Sequence, residues 1–192
     1  MSRLKEPVPV APIFAIFSSD VALIESAIEE IEKKWAPILK KSALFDFNQT
    51  KYYEKEMGAN LKKIFVVLER FISPNFLINL KYWAYEFEFH HLEDRKRKIN
   101  IDPGLLSSER LVLATGKNYV HRIYLGKGVW VDLTLIFKKG SFRTLPWTYP
   151  DYATDFSIDF WNNARLSYLN VLRFGLKGQG VVEFIPGLWP SF

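Results

Sequence analysis

Residues 119–137 leave this chain little freedom in how it folds. Val129, Val131, Leu133, Leu135 and Phe137 are apolar at every second position, and Gly126-Lys127-Gly128 separates them from the segment Tyr119–Leu125. Alternation of this kind marks a strand with one buried face. A short loop ending in a glycine free to take positive φ closes two such strands into a hairpin. Centring it on Lys127 sets Arg122 opposite Asp132, Ile123 opposite Val131, Tyr124 opposite Trp130 and His121 opposite Leu133. In that register His121 shares the apolar face and Arg122 points to the other side. The two cannot then serve one small ligand unless a loop or bulge intervenes.

Upstream, Pro7–Pro12 is a stiff lead-in and Ile13-Phe14-Ala15-Ile16-Phe17 reads as a buried strand. Ser18, Ser19 and Asp20 are helix caps for a stripe of Ile24, Ile28, Ile31 and Trp35, so a helix is expected from about Val21 to Trp35, ended by Pro37. Ser42–Phe47 and Leu61–Ile72 are the next strands, with Tyr52–Gly58 a single helical turn between them. Ser73-Pro74 starts a second helix. Leu77, Leu80, Ala84 and Phe87 continue it, although Tyr85–Phe89 also alternates like a strand. A strand at Lys98–Ile101 completes the order strand, helix, strand, strand, helix, strand, the split βαβ pattern of ferredoxin-like sandwiches. Strands at Arg110–Thr115, Tyr119–Leu125, Val129–Phe137 and Phe142–Leu145 follow, then a helix from Thr154 or Asp155 to Leu172. The expected fold is α+β: a ferredoxin-like βαββαβ start, extended by an antiparallel hairpin sheet, plus a C-terminal helix. Residues 1–174 read as one domain and 175–192 as an apolar tail punctuated by glycine and proline, with Val181–Ile185 and Leu188-Trp189 its apolar parts.

A hydrophobic content of 48% supplies a real core, and the absence of cysteine removes disulfides, thiolate metal sites and cysteine nucleophiles together. Three histidines leave little for a histidine-rich metal centre. Met1–Pro12 does not read as a secretory signal and no long apolar run reads as a membrane span, so a cytoplasmic protein without membrane contact is expected. A net charge of +5 is a modest imbalance for a dedicated nucleic-acid binder. Phosphate-cradling and nucleophile-elbow motifs are missing.

Three chemistries compete for the polar residues. Glu54, Glu56, Asp102, Asp132 and Asp151 are oxygen ligands suited to a divalent metal, with Lys117, His121 and Arg122 placed to steady a phosphate ester and His121 a general acid or base. Without a metal, the same cations suit a small anionic or phosphorylated ligand, nucleotides included. Trp130, Trp147, Tyr149 and Tyr152 beside the basic run Arg95–Lys98 suit stacking on RNA or DNA. Each group also has an ordinary structural role: Asp102-Pro103-Gly104 has turn chemistry, Arg122 and Asp132 suit a cross-strand ion pair, and Trp147 and Tyr149 can pin a loop. His90-His91 points two ways and makes a poor metal site.

The blocks Tyr52–Gly58, Asn100–Gly104, Leu113–Thr115, His121–Leu125 and Trp147–Tyr152, taken together and in order, resemble an uncharacterised prokaryotic family, domain-of-unknown-function family 4416, over about Ile13–Leu172. The resemblance brings no activity with it. It implies that Tyr53, Glu54, Glu56, Asp102, Lys117, His121, Arg122, Tyr124, Trp147, Tyr149 and Asp151 are shared family features and the candidate ligand-binding positions. His121, Asp102 and Asp151 are the catalytic candidates. The expected partners are a small anionic ligand, nucleic acid on weaker grounds, and a second copy of the chain docked through the 175–192 tail.

Overall fold

The apolar run at Ile13–Phe17 lies in β1 (Ala11–Ser18), every residue of which is buried. The computed structural model describes residues 3–49 and 52–175. α1 (Val21–Lys34) follows at once, because Asp20 Oδ1 accepts from the backbone N–H groups of Ala22 and Leu23, donors that the first turn leaves unpaired. Lys33 and Lys34 complement the negative end of its dipole, and Ile24, Ala27, Ile28 and Ile31 face the sheet.

The strand expected at Ser42–Phe47 is divided into β2 (Ile38–Lys41) and β3 (Phe45–Asp46). Between them Ser42 exchanges bonds with Phe65: its N–H donates to the Phe65 carbonyl and its hydroxyl oxygen accepts from the Phe65 N–H. α2 (Glu54–Met57) is the single turn expected, and Gly58 closes it at φ 85°. β4 (Lys62–Leu68) is shorter than Leu61–Ile72. A 3-10 turn at Pro74–Phe76 leads into α3 (Leu77–His90), so the helical reading of this stretch holds. The alternation at Tyr85–Phe89 does not mark a strand: Phe87 is buried, and Tyr85 and Phe89, four apart, lie exposed on another flank of the helix.

β5 (Leu92–Glu93) and β6 (Lys96–Arg97) make a small hairpin, and β7 (Ile99–Leu106) runs well beyond the strand expected there. β8 (Arg110–Thr115), β9 (Arg122–Gly126), β10 (Val129–Lys138) and β11 (Ser141–Thr144) extend the sheet. α4 (Asp155–Phe174) ends the described chain, with the Thr154 hydroxyl accepting from Ser157 N–H as its cap.

All pairings in the main sheet are antiparallel, in the order β11-β10-β8-β7-β1-β4-β2, with β3 on β4 and β9 on β10. The chain is therefore α+β with a C-terminal helix. Strand alternation splits the core in two. Phe14, Ile16, Ile64 and Val66 pack under α1 and α3, whereas Ile13, Ala15, Phe65 and Val67 pack under α4. The hairpin register follows the sequence: Arg122 pairs with Asp132, Ile123 with Val131 and Tyr124 with Trp130. Among the described residues no helix is long and apolar enough to cross a membrane. The tail proposed to dock a second copy, including Val181–Ile185, lies outside the described residues.

Candidate functional site

The sheet parts between β7 and β8, and the polar residues gather where it does. β8 pairs with β7 only at Gly104, Leu105 and Leu106. Asp102-Pro103-Gly104 is thus not the turn its composition suggests but the middle of a strand, with Asp102 opposite Ala15 and Pro103 opposite Phe14. Proline has no N–H to carry the ladder toward β8. Gly104 is there because a Cβ would stand 2.2 Å from the Val112 carbonyl oxygen. Beyond the parting, side chains of α3 take over the free edge of β7. Glu88 Oε1 accepts from Ile101 N–H at 2.7 Å, and Lys81 Nζ lies 3.5 Å from the Ile101 carbonyl and 3.9 Å from Asp102 Oδ1. Burial pushes the Glu88 carboxyl up to about 7, against the pull of Lys81.

On the far side of the parting, Asp132 of β10 organises the 116–122 turn. His121 Nε2–H and Arg122 Nε–H both donate to Asp132 Oδ2, at 2.9 and 3.0 Å. This corrects the expectation that His121 and Arg122 point apart. β9 begins only at Arg122, so His121 belongs to the preceding turn, is not paired with Leu133, and is free to swing to its neighbour's partner. The Trp147 ring stacks on His121 at 4.7 Å and 7°, and its Nε1–H donates to the Leu133 carbonyl. Arg122 completes its fork by donating to the Lys117 carbonyl and to the Tyr149 hydroxyl, at 3.0 and 2.8 Å. His121 Nδ1 and Asp132 Oδ1 are buried without a hydrogen-bond partner.

A second hub, Arg97, secures the α2 segment. Its guanidinium grips both oxygens of Glu56 at 2.7 Å and donates to Asn100 Oδ1, while Asn100 Nδ2–H donates to Asp102 Oδ2. The Arg97 bonds hold Glu56 below the usual carboxylate range. Tyr52 and Tyr53 are thereby fixed beside the parting. Lys117 Nζ lies 3.2 Å from the Tyr52 hydroxyl and 5.2 Å from the centre of its ring. Burial pushes the Tyr53 phenol up, and the charge of Asp102 adds to it. Burial also pushes up Tyr149, with Asp102 and Asp132 reinforcing it against Arg122. Tyr53, Asp102, Lys117, Arg122 and Tyr149 therefore form one neighbourhood, to which α2, β7, the 116–122 turn and the 147–152 loop all contribute.

Other candidates lie apart from it or are already engaged. Asp151 is buried in an ion pair with Lys63 of β4 at 2.6 Å, the lysine ammonium lying 4.7–5.6 Å from the ring centres of Phe47, Tyr152, Phe17 and Phe65. Burial, with Asp151 beside it, pushes the Tyr152 phenol well up. Glu54 is exposed on α2. Tyr124 packs on Trp130 at 4.9 Å. Arg97 of the basic run is turned inward and Lys98 pairs with Glu93, so Arg95–Lys98 makes no continuous cationic track. Among the described residues no group of three His, Asp or Glu side chains is arranged to hold a metal ion. An apolar pocket lined by Pro12, Trp35, Ala36, Leu68, Arg70, Ile72, Phe76 and Leu80 lies on the α1 and α3 side, away from the polar neighbourhood.

Sequence reasoning missed Lys63, Lys81, Glu88 and Arg97 as partners. One signal was present for Lys63: it is a cation in the strongly apolar run Lys62–Leu68, at a position sharing the face of Phe65, and needs a buried counter-charge.

The family model described as "Domain of unknown function (DUF4416)" matches residues 8–168, and the chain belongs to that family. The matched span contains every residue of the polar neighbourhood. Neither a curated protein nor a solved structure matches the chain.

Proposed function

We propose that this member of the domain-of-unknown-function family binds a small anionic ligand, a nucleotide being the best fit, on the surface formed by Tyr52, Tyr53, Asp102, Lys117, Arg122 and Tyr149. The observation that carries the reading is the pairing of two cations with two tyrosines across one backbone link. Lys117 meets Tyr52, Arg122 meets Tyr149, and Arg122 ties itself to the Lys117 carbonyl. Tyr52 and Tyr149 remain exposed, so ring faces for stacking stand beside a solvent-facing ammonium. The half-buried Asp102 is an acceptor for a base amine or a sugar hydroxyl.

The test is titration calorimetry with adenosine monophosphate and, separately, inorganic phosphate. Lys117→Ala should weaken adenosine monophosphate binding by roughly tenfold, the loss of one charge-assisted bond of ~1.5 kcal/mol. Tyr149→Phe keeps the ring but removes the Arg122 acceptor and should cost less. Wild-type protein that binds neither probe at millimolar concentration refutes the reading.

A further inference from the structure

The strand β9 is an open edge. It pairs with β10 on one side, and among the described residues no strand pairs with the other. Proteins guard such edges with charge or proline, because a free row of N–H and C=O groups templates another strand. The opposite end of the sheet follows this rule: β2 carries Lys40 and Lys41. β9 does not. Its one charge, Arg122, is turned away onto Asp132, and Ile123, Tyr124 and Leu125 are 68%, 54% and 38% exposed.

The exposed surface continues onto α3. Ile123 pairs with Val131, which packs into the core beneath α1 and α3, so Ile123 and Leu125 lie on the α3 side of the sheet. Tyr82 of α3 donates its hydroxyl to the Lys127 carbonyl at the hairpin tip, and Tyr85 and Phe89 continue the same flank with their rings stacked at 6.3 Å. Tyr82, Tyr85 and Phe89 are 42%, 61% and 57% exposed. With Ile123 and Leu125 they present on the order of 500 Å² on the α3 side, taking a full aromatic side chain as roughly 150–250 Å², and Tyr124 adds about 100 Å² on the other side of the sheet, beside Trp130. That is a large patch for a surface meant to stay wet.

We propose that two copies of this chain associate through β9, pairing edge to edge about a two-fold axis so that the sheet runs on from one copy to the other. Three features select a second copy as the occupant. An edge strand related to itself by a two-fold axis is necessarily antiparallel to its mate, the arrangement of every other pair in this sheet. With the axis at Tyr124, Ile123 meets the mate's Leu125 on the α3 side and Arg122 meets the mate's Gly126, so no charged side chains oppose each other and the long Arg122 side chain has no side chain across from it. Two such patches, with the two Tyr124 side chains on the other side of the sheet, together bury about 1,200 Å², the lower end of a specific interface. The inference is independent of the ligand reading.

The axis makes a sharp test because the chain has no cysteine. Directly opposed residues on antiparallel strands lie ~4.5–5.5 Å apart at Cα, within disulfide range. Tyr124→Cys should therefore form a covalent dimer under mild oxidation, and Leu166→Cys, exposed on α4, should not. In light scattering across a dilution series, the wild-type protein should be dimeric, and Ile123→Glu should weaken the dimer by at least about tenfold. A protein monomeric throughout, cross-linking that is equal for the two cysteine variants, or a dimer unchanged by Ile123→Glu would each overturn the proposal. Ile123 and Tyr124 are exposed, so loss of folding is not expected, and the cross-linking result stands even if the glutamate variant misfolds.

Discussion

Removing either member of the Lys63–Asp151 pair should destabilise the protein strongly, and the two removals should not cost the same. Both side chains are almost fully buried, at 3% and 4% exposure, with 2.6 Å between the charged atoms. Leaving one buried charge alone typically costs ~3–5 kcal/mol. The surroundings decide where in that range each variant falls. Asp151→Leu leaves the ammonium amid four aromatic ring centres at 4.7–5.6 Å, whose negative faces each offer about 0.5–2 kcal/mol to a cation. Lys63→Met leaves a carboxylate facing the same rings, which offer an anion nothing. Asp151→Leu should therefore lose ~3 kcal/mol and Lys63→Met nearer ~5. At ~2–4 °C per kcal/mol for a chain of this size, the melting temperatures should fall by about 6–12 and 10–20 °C. The double variant Lys63→Met/Asp151→Leu should recover most of the loss, since an apolar pair of similar volume needs no compensation. Urea denaturation of the four proteins, closed as a double-mutant cycle, gives the coupling directly. If Asp151→Leu costs less than ~1 kcal/mol, or the double variant loses the sum of the two singles, the pair is not the buried unit described.

Glu88 makes stability depend on pH. Its folded value of about 7 lies above the ordinary 4.5, so the native state holds the proton more tightly than the unfolded chain. Stability from this group is fully present below pH 4.5, falls as pH rises toward 7 and is level above it, a change of about 3 kcal/mol. Glu88→Gln keeps the Ile101 acceptor and should flatten that slope in urea melts recorded from pH 4.5 to 7.5; an unchanged slope would place the titration elsewhere. Gly104→Ala should cost at least ~3 kcal/mol, because the added methyl meets a backbone oxygen at 2.2 Å that a side-chain rotation cannot move. A melting temperature within a degree of wild type would mean that β7 and β8 lie further apart than described.

What could be read in the sequence was whatever local pattern decides. Asp20 caps α1 because the cap and the stripe behind it are neighbours in the chain, and the β9–β10 register follows from one loop and one alternation. Where distant residues decide, the reading failed. Asp102-Pro103-Gly104 has every local mark of a turn, yet β1 on one side draws it into a strand. The alternation runs on to His121, whereas the strand starts one residue later, and that single step is enough to put the residue on the wrong side of its own hairpin. Lys63 and Asp151 are 88 positions apart, and Glu56 and Arg97 are 41 apart. No period or motif relates residues at such separations; only the folded sheet brings them together. The neighbourhood of Tyr53, Asp102, Lys117, Arg122 and Tyr149 was legible as a set of residues, but not as a geometry.

The failed turn and the candidate site have one cause. A sheet that simply continued would pair β7 with β8 along its whole length and leave no room for Asp102 to meet anything but a neighbouring strand. Proline removes the donor that would extend the ladder, and glycine allows the last close approach before the strands separate. An open edge inside a core must still satisfy its backbone groups. Here Glu88 and Lys81 do so from α3, which obliges the helix to carry two charged residues toward the sheet. Those charges require partners, and Arg97, Asn100 and Asp102 supply them in sequence until the network reaches Glu56, with the Arg97 guanidinium 6.0 Å from the centre of the Tyr53 ring. Polar residues at this parting are therefore first a consequence of how β7 is built. Side chains that only satisfy the edge, such as Glu88, should matter to stability and not to ligand affinity. Lys117 touches none of that edge, and its removal should affect binding alone.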